Sequence, residues 1–215
     1  GAQVEVIEFL DHITPGMDKE ISSEFMKILK KQGIKFNMQN KVEKIKKIES
    51  GAIVSTIDNR EYEVRKLPDK QDAANKLAVI SQKLHKLVDH VYNTDIDKEG
   101  VRQLKRQFNS NNIIENSPGG KYTAYSVNKG EQLALCLRDA DDNTFIELNL
   151  IIFVAIHELA HIMTDEVGHT PKFWANMRYL LEKGYEIGVY SPENYKQNPK
   201  MYCGQEINST PYRFN

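Results

Sequence analysis

Four residues in the C-terminal half of the sequence have the types and spacings that metal-assisted chemistry requires. His157, Glu158 and His161 form the pattern H-E-x-x-H, and His169 follows eight residues later. In a helix of 3.6 residues per turn, positions i and i+4 lie on one face, so two imidazoles can bind one cation at about 2.0–2.1 Å. Glu158 is offset by one residue and lies beside the cation, where a general base removes a proton from zinc-bound water. The pattern therefore predicts a zinc site with a catalytic glutamate.

A catalytic zinc site needs a third protein ligand, because three ligands leave the fourth position open for water. His169 follows a glycine that can turn the chain, and the next helix begins at once, with Thr170 as its N-cap and a proline at its first position. Glu182 on that next helix and Asp165, one turn beyond the H-E-x-x-H pattern, are the alternatives. Since an anchored helix holds His169 in place, we predict that the three histidines bind the metal.

The helix that carries the H-E-x-x-H pattern is predicted to be buried. Thr144 and Glu147 have the spacing of a capping box, which places the start of the helix near residue 144. An ionised Glu158 in such a helix is costly unless it is paired or used. The next helix is predicted to bury Phe173 and Trp174. Apolar residues cover nearly every face of the first helix: Leu148, Leu150, Ile151, Ile152, Phe153, Val154 and Ile156.

Two further elements are expected beside this helix. Apolar residues recur at helical spacing from Leu77 to Val91, which predicts an amphipathic helix. The segment at residues 121–139 has the pattern of a β-hairpin, with a turn predicted at residues 128–130. An edge strand of this hairpin could bind an extended peptide by β-augmentation, and the substitution Tyr125→Pro is then expected to raise KM.

A donor for the oxyanion is expected in addition to the metal, because attack on a carbonyl creates negative charge on its oxygen. Packing in the core or at the surface is the default role for any tyrosine. The sequence does not choose among the five tyrosines that follow the metal site: Tyr185, Tyr190, Tyr195, Tyr202 and Tyr212.

The two cysteines are expected to be small buried thiols. Cys136 and Cys203 are 67 residues apart and form no C-x-x-C pair, which argues against a disulfide framework and favours a reducing, intracellular compartment, cytoplasmic or nuclear. A thiolate that binds the metal as an inhibitor is the alternative. The longest apolar run, residues 150–156, is far shorter than the roughly 20 residues that span a bilayer, and no signal peptide is visible.

A family resemblance follows from these motifs. The segment HELAHIMTDEVGHTPKFW, residues 157–174, resembles the H-E-x-x-H…G-H-x-x-x-F pattern of SprT-like and WLM metallopeptidases, which include the Spartan-type DNA–protein crosslink proteases. Together with KYTAYSVNKGE and YCG, it is similar also to small metallopeptidase-like proteins of large DNA viruses. The likeness covers about residues 60–212. It implies that the three histidines bind zinc and that Glu158 is the catalytic base.

The N-terminal residues carry a different resemblance. The segment GAQVEVIEFLDHITPGMDKEISSEFMKILKKQGIKF resembles the middle of the NAD-binding domain of the dihydrolipoamide dehydrogenase family. The resemblance implies that Glu8 lies at the position where an acidic residue binds the ribose of the cofactor. The family's G-x-G-x-x-G phosphate turn, redox dithiol and flavin site are not found in this sequence, so we expect no dinucleotide binding. Residues 1–58 are interpreted as a fused or chimeric fragment, with a fragment of a working NAD/FAD-dependent dehydrogenase as the alternative.

The charges give little support for a nucleic-acid partner. The formal net charge is -1; residues 1–58 hold nine of the 29 basic and nine of the 30 acidic residues, which leaves 20 and 21 for residues 59–215. Within residues 59–215 only the run at 101–108 offers a basic cluster, and a solvated face is its simpler interpretation. A DNA-dependent enzyme would need a basic surface. We predict a protein or peptide substrate and no membrane partner, and only the family resemblance suggests DNA-associated proteins.

The predicted fold is α+β. A minimal zincin-like metallopeptidase domain with a buried H-E-x-x-H helix occupies residues 59–215, behind a partial α/β dinucleotide-binding fragment at residues 1–58. The predicted activity is that of a zinc metalloendopeptidase, with Zn²⁺ as cofactor and Glu158 as general base. An inactive zinc-containing module that binds peptides is the alternative, and a Glu158→Gln variant that behaves like the wild type would favour it.

Overall fold

The computed structural model describes residues 5–8, 10–14, 16–39, 50–117 and 123–214. They divide into two compact units, residues 1–48 and 49–215. The second unit begins before the boundary that the sequence predicts between residues 58 and 59, because a strand at residues 50–54 pairs with one at residues 61–65. The two-domain division itself stays a prediction.

The first unit is a β-α-β arrangement made of β1 (Glu5–Glu8), α1 (Lys19–Lys31) and β2 (Lys35–Met38). β1 and β2 pair in parallel, as strands joined by a crossover helix do. α1 begins after Asp18, whose carboxylate accepts a hydrogen bond from the backbone N–H of Glu20 at 2.9 Å. Glu8 accepts one from the backbone N–H of Leu10 at 3.1 Å.

The second unit mixes helices and short strands. Its order is β3 (Ser50–Val54), β4 (Glu61–Arg65), α2 (Lys70–Thr94), α3 (Val101–Gln107), β5 (Ile113–Asn116), β6 (Ala124–Val127), β7 (Gln132–Cys136), α4 (Leu148–Met163), α5 (Pro171–Glu186), β8 (Lys200–Tyr202) and β9 (Gln205–Ile207). α2, α4 and α5 bury their apolar faces against one another and against the sheet of β5, β6 and β7 in one core. The amphipathic helix predicted around residues 77–91 is α2.

The sheet beside α4 has the order β5-β7-β6, with β5 parallel and β6 antiparallel to β7. The predicted hairpin is therefore confirmed for residues 124–136, while residues 121 and 122 lie outside the described part of the chain. Asn128, Lys129 and Gly130 lie in the four-residue loop between the paired residues Val127 and Gln132, with positive φ angles of 47°, 52° and 113°. Within the described residues β6 is an edge strand.

α4 is the central helix, with buried side chains on every face. It starts later than the capping box predicts, and that prediction is wrong. The N-cap is Glu147, which makes no side-chain cap bond, and the Thr144 hydroxyl donates to Asp142 instead, at 2.7 Å. The reason is extended pairing just before the helix, where the backbone N–H of Ile146 donates to the carbonyl of Leu137 at 2.9 Å.

Cys136 and Cys203 form a disulfide with an S–S distance of 2.02 Å, so the expectation of two free thiols is wrong. Cys136 ends β7, and Cys203 lies in the turn between β8 and β9. Each cysteine is buried, as expected, but the pairing was missed because the fold brings together residues far apart in sequence. β8 and β9 pair only with each other among the described strands.

A buried arginine joins three elements beside the sheet. Arg138 is 1% exposed, and its Nε donates to Glu115 of β5 at 2.8 Å. One of its Nη atoms donates to Asp69, the N-cap of α2, at 2.5 Å. Its guanidinium lies 4.2 Å from the ring centroid of Phe145. These contacts position the start of α2 and the segment that leads into α4.

Candidate metal centre

α4 presents His157, Glu158 and His161 on the face that turns towards β6 and the loop after α4. Apart from Asn149 near its start, the rest of the helix is apolar, so these polar groups are flanked by core side chains. Glu158 is 8% exposed, whereas both histidines are partly exposed. The face that they share is thus partly open to solvent.

The loop between α4 and α5 delivers the third histidine. α4 ends at Met163, where the Thr164 hydroxyl donates to the carbonyl of Ala160 at 2.7 Å and accepts from the side chain of buried Asn176 of α5 at 3.0 Å. Further along, Gly168 turns the chain with a φ of 86°. Thr170 caps α5 as predicted, since its hydroxyl accepts from the backbone N–H of Phe173 at 3.2 Å.

The three histidines converge through their Nε2 atoms. The His157–His161 and His161–His169 Nε2 pairs are 3.2 Å apart, and the His157–His169 pair is 3.0 Å apart. Tetrahedral coordination at 2.0–2.1 Å separates ligand nitrogens by about 3.3 Å. The observed separations are close to this value, so the donor set fits one small cation such as zinc.

The two alternative third ligands lie elsewhere. The carboxylate of Asp165 accepts a hydrogen bond from Lys172 at 2.8 Å, and Glu182 is exposed on α5. In the part of the chain that the structure describes, the three histidines are the one cluster whose donor atoms lie within 4.8 Å of one another.

Burial favours the neutral form of the two imidazoles on α4. Burial, followed by the nearby imidazoles of His161 and His169, lowers the pKa of His157 to about 3. Burial and the neighbouring His169 lower the pKa of His161 to about 4. Burial also raises the pKa of Glu158 to about 7. Neutral imidazoles with lone pairs directed at one point are the form that binds a metal ion.

Two aromatic residues at the start of α5 pack against the histidines. The Phe173 ring centroid lies 4.9, 4.3 and 4.8 Å from those of His157, His161 and His169. Trp174, predicted to be buried, is instead 38% exposed and lies 5.5 Å from the ring of His169. Both residues were predicted only as part of a core face, although their position in the first turn after His169 indicates that they contact it.

The histidines open into a cleft of about 720 Å³. Residues 123–126 at the edge strand β6 form one wall, and Tyr202, Gln205 and Ile207 of the β8–β9 hairpin form another. The floor is α4, from Phe153 to Ile162, and the loop at residues 166–169 closes one side. A cation held by the three histidines would therefore be accessible to a ligand in this cleft.

Residues 59–213 match the family model described as the WLM domain. The chain belongs to the WLM family. This membership supports a metallopeptidase-like protein, and it confirms the resemblance drawn from the motifs.

Relatives of this WLM domain occur in large DNA viruses. An uncharacterised protein of Acanthamoeba polyphaga mimivirus is 33% identical over 165 residues, which are 75% of this chain and 84% of that protein. An uncharacterised protein of Invertebrate iridescent virus 6 is 37% identical over 82 residues, which are 37% of this chain and 44% of that protein.

A crystal structure of Wss1 from Saccharomyces cerevisiae is similar over 58% of this chain and 87% of that one, at 24% identity and a TM-score of 0.45.

The residues before the WLM domain match a second family. Residues 1–59 match the pyridine nucleotide-disulphide oxidoreductase model. Dihydrolipoamide dehydrogenase of Chaetomium thermophilum is 58% identical over 43 residues, 20% of this chain but 8% of that enzyme. The N-terminal resemblance is thereby confirmed, and it covers a small part of the dehydrogenase.

One of the five candidate tyrosines of the WLM domain lines the cleft. Tyr202 is buried, and its hydroxyl accepts a hydrogen bond from the backbone N–H of Cys136 at 3.0 Å. Burial raises the pKa of Tyr202 above its ordinary value. Tyr190 and Tyr195 pack on Phe153, with ring centroids 6.1 and 4.7 Å away. The remaining two, Tyr185 and Tyr212, contact each other outside the cleft.

The basic run at residues 101–108 is partly neutralised. Arg102 pairs with Asp97 at 2.9 Å, and Lys105 pairs with Asp89 at 2.5 Å. Exposed ion pairs of this kind leave little net positive field for a phosphate backbone. Among the described residues, no helix is long and apolar enough to cross a membrane.

Proposed function

We propose that this WLM domain is a zinc-dependent metallopeptidase in which His157, His161 and His169 hold the metal and Glu158 is the general base. The convergence of three Nε2 atoms within 3.2 Å, beside a buried glutamate and at the floor of an open cleft, carries the proposal. Structural histidines have no reason to direct three lone pairs at one point, whereas a metal site requires it.

Zinc, when bound, supplies an acidified water and polarises the scissile carbonyl. Glu158 removes a proton from the attacking water and then delivers it to the leaving amine nitrogen. The apolar surroundings of Glu158 on α4 exclude competing water and hold the carboxylate next to the histidines. The ring of Phe173 supports all three imidazoles from the core side.

An extended peptide is the proposed substrate, bound along β6 by β-augmentation. β6 is an edge strand among the described residues, and residues 123–126 line the cleft next to the histidines. A proline in such a strand removes a backbone donor. We therefore expect Tyr125→Pro to raise KM for peptides more than it lowers kcat.

DNA-associated proteins remain a proposed substrate class that rests on the family resemblance alone. The paired charges of Arg102 and Lys105 give no support to it. The test is cleavage of the same protein substrate with and without single- or double-stranded DNA. Acceleration that is lost at high salt would support this class, and equal rates would remove it.

The first experiment measures metal content by mass spectrometry, followed by peptidase activity. We expect one zinc ion per chain, lost in His169→Ala and retained in His85→Ala, whose histidine lies outside the site on α2. We expect Glu158→Gln to keep zinc and to lose about 10²–10⁴-fold in kcat, while Glu182→Gln keeps full activity. Zinc with no peptidase activity in the wild type would leave a peptide-binding module, and absence of zinc after reconstitution would refute the metal site.

A further inference from the structure

The cleft has a chemical character beyond the metal site. On its floor, Phe153 and Val154 occupy the turn of α4 that precedes His157. Ile207 of β9 also lines the cleft and is partly buried against the core. Tyr202 adds an aromatic ring from the same hairpin. Apolar groups from α4 and from the β8–β9 hairpin thus line the same cleft as the three histidines.

Among the described residues, few charged groups line the cleft. Apart from Glu158, the described ionisable lining residues other than histidine and tyrosine are Lys129 and Glu166. Lys129 is engaged at the far side, where its ammonium donates to the carbonyls of Thr164 and Asp165 at 3.4 and 3.1 Å. A charged substrate side chain beside Val154 and Ile207 would therefore lose its hydration without gaining an oppositely charged partner from the described residues.

The apolar patch is held in shape from behind. Phe153 packs on Tyr195 and Tyr190, and the β8–β9 hairpin is fixed to β7 by the disulfide and by the hydrogen bond from Cys136 to Tyr202. A rigid apolar pocket with few polar groups is the usual design of a side-chain subsite.

We propose that Phe153, Val154, Tyr202 and Ile207 form a specificity subsite that selects a large apolar side chain next to the scissile bond. This inference rests on the proposed peptidase function and names its substrate class. Large apolar side chains are mostly buried in folded proteins. The substrate is accordingly an extended segment of an unfolded or locally opened protein chain.

Ile207 is the probe of this subsite, because it is partly exposed and lies at the cleft, whereas Met201 on the paired strand is 51% exposed and does not line it. The assay uses zinc-loaded full-length protein and quenched fluorogenic peptides of Gly and Ser that differ in one central residue, Leu, Lys or Glu. Mass spectrometry of the products locates the cleaved bond. We expect kcat/KM for the Leu peptide to exceed that for the Lys and Glu peptides by about ten-fold or more.

The variants separate specificity from stability. We expect Ile207→Glu to lower kcat/KM for the Leu peptide about ten-fold or more and to raise it for the Lys peptide, and Met201→Glu to change neither. Ile207→Gln, which adds no charge, should lose the preference for Leu without gaining one for Lys. Equal rates for all three peptides in the wild type, or an equal loss on all three in the Ile207 variants, would overturn the subsite and leave the peptidase standing. Cleavage of no peptide by zinc-loaded wild type would instead overturn the proposed function, and the subsite with it.

Discussion

Reducing the Cys136–Cys203 disulfide is expected to destabilise the second unit strongly. The bond links positions 67 residues apart, so it removes a large loop-closure entropy from the unfolded chain. For a loop of this length the chain-entropy relation gives about 4 kcal/mol at 25 °C. With a urea dependence of about 2 kcal/mol per molar, that loss corresponds to a fall of about 2 M in the unfolding midpoint.

The assay is urea unfolding followed by circular dichroism, with and without a phosphine reductant that does not absorb in the far ultraviolet. The matched control is the double variant Cys136→Ala/Cys203→Ala, which should unfold near the reduced wild type and show no response to the reductant. A double variant within about 0.5 kcal/mol of the oxidised wild type would refute the reasoning, as would a response of the double variant to reductant. Mass spectrometry of the alkylated protein counts the thiols in each sample.

Three further predictions concern the packing around α4. We expect Arg138→Met to lower the free energy of unfolding by about 3–5 kcal/mol, because the buried carboxylate of Glu115 loses its cationic partner and keeps only the hydrogen bond from the backbone N–H of Arg65. Urea unfolding measures the loss against the exposed control Arg213→Met. We expect Gly100→Ala to lower Tm, because Gly100 has a φ of 84° and a Cβ there would lie 2.1 Å from the carbonyl oxygen of Met163; an unchanged Tm would contradict the geometry. The hydrogen bond from Arg138 holds the pKa of Asp69 below its usual 3.8, so its stabilisation is present above about pH 4 and is lost as pH falls through the folded-state pKa. Asp69→Asn should therefore show a shallower loss of stability between pH 5 and pH 2 than the wild type, by unfolding at a series of pH values.

Much of the metal centre could be predicted from local sequence because local rules govern it. Two histidines at i and i+4 share a helix face whatever the rest of the fold does. The threonine and proline that begin α5 fix the chain immediately after His169. The hairpin of β6 and β7 is equally local, since its turn residues determine its register.

The features that were missed depend on contacts between distant segments. The disulfide joins Cys136 and Cys203 only because the β8–β9 turn reaches the end of β7. The capping box at Thr144 was overridden because extended pairing continues past β7. The burial of Arg138 between Glu115 and Asp69 has no sequence signal, because its partners come from another strand and another helix. In each instance tertiary contacts outweighed a local preference.

The three histidines lie in two regions that we expect to differ in the free energy needed to expose their backbone amides. His157 and His161 lie on α4, whose side chains are mostly buried, so we expect its backbone amides to exchange with deuterium only when the core opens. His169 belongs to a turn where the neighbouring Val167 is 93% exposed, so we expect amides there to exchange by local fluctuation. A metal ion bound by all three histidines would tie this turn to α4. Deuterium uptake at residues 164–170 would then report directly whether the site holds a metal ion. This readout needs no activity assay.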